Sequence, residues 1–445
     1  MKYNHKLILI PLIAIVLTGC NKPKPPVTSE DIFTSDDIVL MKKEMKKSFN
    51  FFYKEVQDDE TSPAYGLIAD VARGNVASVA SVGFGLAAMP IGVNEGWITL
   101  EDAEKRVSGT LDTLLNIETI NGFYYHFLDM DTGMRSGGSE LSVIDTGIMV
   151  IGALIAGEYF KGEIETKAIA IYERVNWKWY TGLNPNGSKP QFRMSYNPDT
   201  HLFSGYWDFY AEQLMLYVLG AGSPNVDFRT DKALYDGFRR ARGAYDGNNF
   251  IYSWFGSLFT YQYSHAFIDF GSYIDADGVD WFQNSVDASI ASYDYCVDNK
   301  DRIATFSEGS WGLTACDTKL GYSGLLGTPP RGFSPSGDPD YRKIEGTVAP
   351  AAALGSMPFT PKYSLQALRN YDSNLDLQGI YGFYDSYDLV NKWYSFTYIG
   401  IDKGITLLML ANALDGFIWN LSNKIDVITL GLERIGFVAR DKREY

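Results

Sequence analysis

Apolar positions recur at helical spacing almost from end to end of the chain. Twelve segments carry that period: 37–57, 75–91, 100–117, 144–160, 163–175, 208–219, 230–245, 284–299, 348–356, 362–371, 402–414 and 423–436. They fall into two kinds. VASVASVGFGLAAM and GIMVIGALIAG are apolar on every side and dense in Gly and Ala, the composition of helices buried all round and packed closely. LMKKEMKKSFNFFYKEV is amphipathic and belongs on the outside of a bundle. Between alternate helices lie stretches rich in Gly, Pro, Tyr and Trp, at 118–143, 176–207, 247–283, 303–347 and 372–401. They are too long for simple connections and of the kind that carries function. Paired helices with elaborate loops at one end predict an all-α toroid, an (α/α)6 barrel of six inner helices ringed by six outer ones. Short accessory strands are expected in loops such as GFYYHFLDM and FIYSWF. No internal repeat is visible, which disfavours a helical solenoid.

The first residues do not fit this pattern. Lys2 and Lys6 precede an apolar run from Leu7 to Leu17, followed by Leu17-Thr18-Gly19-Cys20, the form of a bacterial lipoprotein signal with Cys20 as the lipidated residue. The run is shorter than the roughly 20 apolar residues that span a bilayer. Residues 1–19 therefore read as a signal peptide and 20–36, with its Lys/Pro-rich NKPKPPVTSED, as a flexible tether. Residues 37–445 read as a single large domain. The expected product is a monomer, exported and anchored on the extracytoplasmic side of a membrane through Cys20.

Charge and composition narrow the ligand. With 54 acidic against 39 basic residues the formal charge is −15, which disfavours nucleic acid and other polyanions and suits a neutral glycan. Aromatic residues make up 15% of the chain, and tyrosine, with an apolar face and a hydroxyl, is the commonest of them at 30 residues. Besides Cys20 there are only Cys296 and Cys316, too few for a disulfide framework. His126, His201 and His265 stand alone, without the spacing of a transition-metal site, so neither metal nor cofactor is expected.

From Gly122 to Gly147 the chain reads GFYYHFLDMDTGMRSGGSELSVIDTG. Phe123, Tyr124 and Tyr125 can cover the C–H faces of a pyranose, while Asp129, Asp131, Glu140 and Asp145 can accept its hydroxyls. Ser142 and Asp145 also have the spacing of a capping box, so Asp145 has a structural reading too. Glu212, in YAEQLMLYVLG, is read one turn into a helix that Asp208 can cap, among Tyr206, Trp207, Phe209 and Tyr210. It is either an exposed first-turn glutamate favoured by the helix dipole or a carboxyl whose pKa is raised by aromatic burial, as a general acid requires. Asp402 precedes a buried-looking helix, where it can cap the N-terminus or act as a base.

Eight segments in order, GFYYHFLDMDTG, ELSVIDTGIMVIGAL, YAEQLMLYVLGAGSP, YQYSHAFIDF, EGSWGLTACD, GTVAPAAALGSMPFTP, GFYDSYDL and IGIDKGITLLML, resemble the glucoamylase-like bacterial β-1,2-glucanases of glycoside hydrolase family 144. A similar module occurs in cyclic β-1,2-glucan synthases. The resemblance implies the (α/α)6 barrel, no metal, and anomer-inverting cleavage of β-1,2-glucan to sophoro-oligosaccharides or sophorose. Inversion needs a protonated carboxyl and a carboxylate roughly 6.5–9.5 Å apart. The resemblance makes Glu212 the acid and Asp402 the base, directly or through a substrate hydroxyl. Asp145 and Glu140 are base alternatives or ligands of the sugar hydroxyls; if Asp145 is the base, Asp402 has a binding role. Tyr124, His126, Arg193, Trp207, His265, Trp311, Asp317, Tyr384 and Asp385 are the expected sugar contacts. The other reading is a non-catalytic surface glycan-binding lipoprotein, which needs aromatic rings but no opposed acid and base.

Overall fold

The computed structural model describes residues 32–332 and 346–440. The expected signal peptide, Cys20 and the tether as far as residue 31 lie outside the described residues.

Helices buried on nearly every side, among them the two that the sequence marks as apolar all round, form the inner ring. They are α2 (Val79–Asn94), α4 (Val143–Phe160), α6 (Leu214–Gly222), α8 (Phe259–Phe267), α10 (Pro350–Gly355) and α12 (Gly400–Asp415). The outer layer holds α1 (Ser35–Lys54), α3 (Leu100–Asn116), α5 (Gly162–Glu173), α9 (Trp281–Asp298), α11 (Pro361–Ser373) and α14 (Asp426–Arg434). α12 packs on both α1 and α2, which closes the ring. The short α7 (Lys232–Tyr235) and α13 (Phe417–Ser422) complete the set, α13 packing on α4, α8 and α12. The architecture is the all-α toroid that the alternation of buried and amphipathic segments implies.

Glycines set the closest approaches. A Cβ on Gly152 would lie 2.0 Å from the carbonyl oxygen of Gly83, and one on Gly83 would lie 2.4 Å from that of Ile148, so α2 and α4 touch backbone to backbone. α6 and α14 repeat the device through Gly222, whose Cβ would lie 2.1 Å from Val427 O, and Gly431, whose Cβ would lie 2.2 Å from Val218 O.

Three expectations change. The segment 230–245 is helical only at α7, because the chain leaves it for a hairpin of Arg242–Tyr245 against Asn248–Ile251. The outer position against α6 is taken instead by α14, from the far end of the chain. The stretch 247–283, read as a loop, contains the inner helix α8, whose buried polar side chains hide it. The helix expected from 208 begins at Leu214, and Asp208 pairs with Arg239 at 2.8 Å rather than capping it. Accessory strands are short, and one four-stranded sheet joins Leu141–Ser142, Thr181–Leu183, Pro190–Asn197 and Leu202–Tyr206. Cys296 and Cys316 are buried free thiols.

Candidate active site

Asp145 and Asp402 lie in the first turns of α4 and α12, and Glu212 lies in the turn that leads into α6. All three inner helices begin at the same mouth, where the long loops gather further carboxyls around them.

Glu212 keeps some contact with solvent, but protein surrounds its carboxyl on most sides. Burial raises its pKa to about 7, with the charge of Asp145 adding to the effect and a backbone hydrogen bond opposing it. A carboxyl that holds its proton near neutrality is suited to general acid work. Its backbone is fixed by Ser264, whose hydroxyl donates to Glu212 O and accepts from Met215 N at 3.0 Å.

His126 is a charge hub. Its Nδ1 lies 3.0 Å from Glu140 Oε1 and its Nε2 lies 3.6 Å from Asp145 Oδ1, while its ring stacks on Phe127 at 3.8 Å. Burial disfavours its charge, yet Asp145, Glu140 and Asp70 outweigh that and push its pKa up to about 9. It is therefore an imidazolium at neutral pH. The hydrogen bond from His126 holds the Glu140 carboxyl below its ordinary value, against burial. Asp145 serves two neighbours at once: its Oδ2 accepts from Ser142 Oγ, its N–H donates to the same hydroxyl at 3.3 Å, and its Oδ1 faces His126.

Asp70 was not anticipated. It faces His126, Asp145 and Asp317, and burial raises its carboxyl, the two aspartates adding to the effect and His126 opposing it. Its only signal is a lone carboxylate within the apolar run Leu67-Ile68-Ala69-Asp70-Val71-Ala72.

On the other side of the mouth, Asp402 and Asp385 are buried and their carboxyls meet. Burial raises both, and the charge of Asp385 drives Asp402 well above the usual carboxylate range. Asp385 Oδ2 accepts from Asp317 N at 2.7 Å, and Asp317 Oδ2 accepts from Thr397 Oγ1 at 2.6 Å. Asp317 stands across a hairpin from Tyr322, whose hydroxyl is pushed up by burial and by Asp402 and Asp385. Tyr384, half-buried, packs 5.0 Å from Tyr398 and 5.2 Å from the exposed ring of Phe396. Phe396 has φ of +53°, a strained position for a bulky side chain, which fits a ring held out for a ligand.

The remaining expected contacts divide in two. Arg193 is partly exposed but spends its guanidinium on Gly205 O, Phe203 O and the Tyr206 hydroxyl, the last at 2.7 Å. Trp207 is nearly buried, with an indole N–H that meets no acceptor among the described residues. Tyr124, His265 and Trp311 have at most 1% of their surface exposed and offer a sugar nothing to touch. Tyr124 donates to Leu114 O at 2.7 Å, His265 packs among Phe270, Phe282 and Phe359, and Trp311 donates to Tyr363 O at 3.3 Å. These three are core groups, because polar aromatic composition does not distinguish a ring that faces the cleft from one that holds the loop behind it.

The family model described as "Putative glucoamylase" matches residues 204–426, half of the chain. The chain belongs to this glucoamylase-like family. It is 27% identical over 403 residues to an exo β-1,2-glucooligosaccharide sophorohydrolase (non-reducing end) of Parabacteroides distasonis, a match covering 82% of this chain and 53% of that one. The chain thus spans about half the length of the curated relative it matches. Among solved structures it resembles an endo-β-1,2-glucanase of Chitinophaga pinensis in complex with sophorotriose and glucose, with a TM-score of 0.78, 23% identity and coverage of 91% and 99% of the two chains. A β-1,2-glucanase of Parabacteroides distasonis is similar at a TM-score of 0.78 and 23% identity, covering 92% of this chain and 60% of that one. Both likenesses establish the glucoamylase-like toroid.

Proposed function

We propose that this glucoamylase-like protein is a glycoside hydrolase that cleaves β-1,2-glucan, with inversion, to sophorose or short sophoro-oligosaccharides. The observation that carries the reading is Glu212, a carboxyl kept protonated to about pH 7 at the mouth of the ring and faced by other carboxyls. Glu212 gives its proton to the leaving glycosidic oxygen as the C1–O bond breaks. Water attacks C1 from the opposite face and loses its proton to Asp402, directly or through a sugar hydroxyl. His126 places one positive charge between Glu140 and Asp145 and holds both carboxylates where they can accept sugar hydroxyls. The relatives named as β-1,2-glucanases and a sophorohydrolase support the choice of linkage.

A glycan-capture protein would need neither the raised Glu212 nor carboxyls opposite it. The test is incubation of residues 28–445 with linear β-1,2-glucan beside Glu212→Gln, with products followed by chromatography. Sophoro-oligosaccharides released by the wild type, and at least 1,000-fold slower by the variant, are expected. Retarded migration on the glucan without products would turn the assignment to capture. Export and a lipid on Cys20 complete the reading; the same assay on membrane fractions of cells making the full chain, against Cys20→Ser, tests them.

A further inference from the structure

Two buried oxygens in the site lack a donor. Asp385 Oδ1 and Asp402 Oδ2 make no hydrogen bond to a donor among the described residues, although their carboxyls are in contact with each other. Two carboxylate oxygens brought together out of water repel, and an unsatisfied buried acceptor costs about 1–3 kcal/mol. One proton between them removes both penalties. We propose that Asp385 is the positioning partner of Asp402: the two carboxyls share one proton, carry one negative charge, and work as a single base.

The approach is enforced from below. Lys403, next to Asp402 on α12, is 4% exposed and lies 3.2 Å from Glu44 Oε1 on α1, which is equally buried. Its ammonium also donates to Tyr381 O at 3.0 Å and Phe383 O at 2.9 Å. Glu44 Oε1 accepts Phe383 N at 3.2 Å, and a Cβ on Gly382 would lie 2.1 Å from that oxygen. Gly382 has φ of +91°, so only glycine fits this turn without strain. The buried ion pair therefore grips the turn Tyr381-Gly382-Phe383, and Asp385 follows two residues later. From above, Asp317 N fixes Asp385 Oδ2, while Oδ1 is left without a donor among the described residues.

The other ionisable groups around the pair are Asp317, Cys316 and Tyr322 from the hairpin, Tyr263 from α8 and Asp70 from the opposite wall. Lys403 favours ionisation of Asp402, but Asp385 and burial outweigh it. The Asp317 N–H supports the negative charge of the pair at Asp385 Oδ2. Such a pair accepts one proton from the attacking water and becomes doubly protonated, as in other carboxyl dyads that hold a single proton. It titrates as one unit, not as two independent acids.

The inference rests on the glucanase reading for its catalytic part only, so the experiment has an arm that needs no turnover. In a Glu212→Gln background, infrared difference spectra at pH 7 should show one protonated-carboxyl C=O band lost in Asp385→Asn and the same band lost in Asp402→Asn. A band lost in only one of the two variants, or in neither, overturns the shared proton. With Glu212 intact, Asp385→Asn replaces the carboxyl O–H that supports the pair's single negative charge with a weaker amide donor, so Asp402 alone takes up a proton at higher pH than the pair does. The acid limb of kcat/KM on β-1,2-glucan, which reports protonation of that single negative charge, should then move up by about a pH unit or more while kcat falls about tenfold or more. An unmoved acid limb with retained activity would refute the base role of the pair. Absence of turnover by the wild type would refute the glucanase reading and leave the infrared result standing.

Discussion

The raised pKa of Glu212 suits catalysis and burdens the fold. Its ordinary value is 4.5 and its folded value about 7, so the folded state holds the proton more tightly than the unfolded chain. Stability from this site is fully present below the unfolded value and is lost as pH rises toward 7; above that the penalty is constant. Glutamine does not titrate, so Glu212→Gln should be more stable than the wild type by up to about 3 kcal/mol at pH 8 and by almost nothing at pH 4.5. Urea midpoints measured at both pH values check this, and a gain that is the same at both would show that burial of the charge is not the cause. Residues of this kind were legible in the chain because each stands at the entrance of a strongly apolar helix: Glu212 before LMLYVLGAG, Asp145 before GIMVIGALIAG, Asp402 before GITLLML. One carboxyl beside them was not. Asp70 comes from a loop some 75 residues before Asp145, and nothing local to VIDTG announces it.

At the scale of elements, the mouth is held in shape by helices that touch through their backbones. α2 and α4 cross at Gly83 and Gly152, and α4 carries Asp145 at its start. Gly152→Ala would place a methyl 2.0 Å from Gly83 O, a backbone atom that cannot step aside. The expected loss is about 3 kcal/mol or more of stability, larger than ordinary overpacking because neither helix can move without opening the ring. Gly138→Ala, whose Cβ meets nothing within 4 Å, should stay within about 0.5 kcal/mol of the wild type. Thermal unfolding of the two variants distinguishes a packing role from a general effect of replacing glycine. The Gly/Ala-rich, all-round apolar segments made these helices readable from sequence. α8 was unreadable for the opposite reason: Gln262, Ser264 and His265 interrupt its apolar pattern but are satisfied inside the ring, Gln262 by Ala352 O at 2.7 Å. Segment 230–245 looked like the outer partner of α6, a place that α14 fills through Gly222 and Gly431, and no local period reveals such a substitution.

Over the whole molecule the toroid closes where its first and last large helices meet, and that seam also supports the proposed base. Glu44 and Lys403 are 359 residues apart, so no window of sequence presents them as a pair, and each alone reads as an ordinary charge on a helix. Both are buried, and the pair is surrounded by backbone groups that complete its hydrogen bonds. Removing one partner of such a pair leaves the other charge stranded, at a cost of about 3–5 kcal/mol, whereas replacing both with apolar groups is often close to neutral. Lys403→Met should therefore lower stability by that amount, and Glu44→Leu combined with Lys403→Met should recover a large part of it, as read from urea midpoints. The two carbonyls of Tyr381 and Phe383 lose their donor in either case, so recovery should stop short of the wild type. Activity should not follow stability: with the ion pair gone, the turn that sets Asp385 against Asp402 loses its grip, and the double variant should remain slow on β-1,2-glucan although it is folded. A double variant that regains both stability and rate would show that the seam closes the ring without positioning the carboxyl pair.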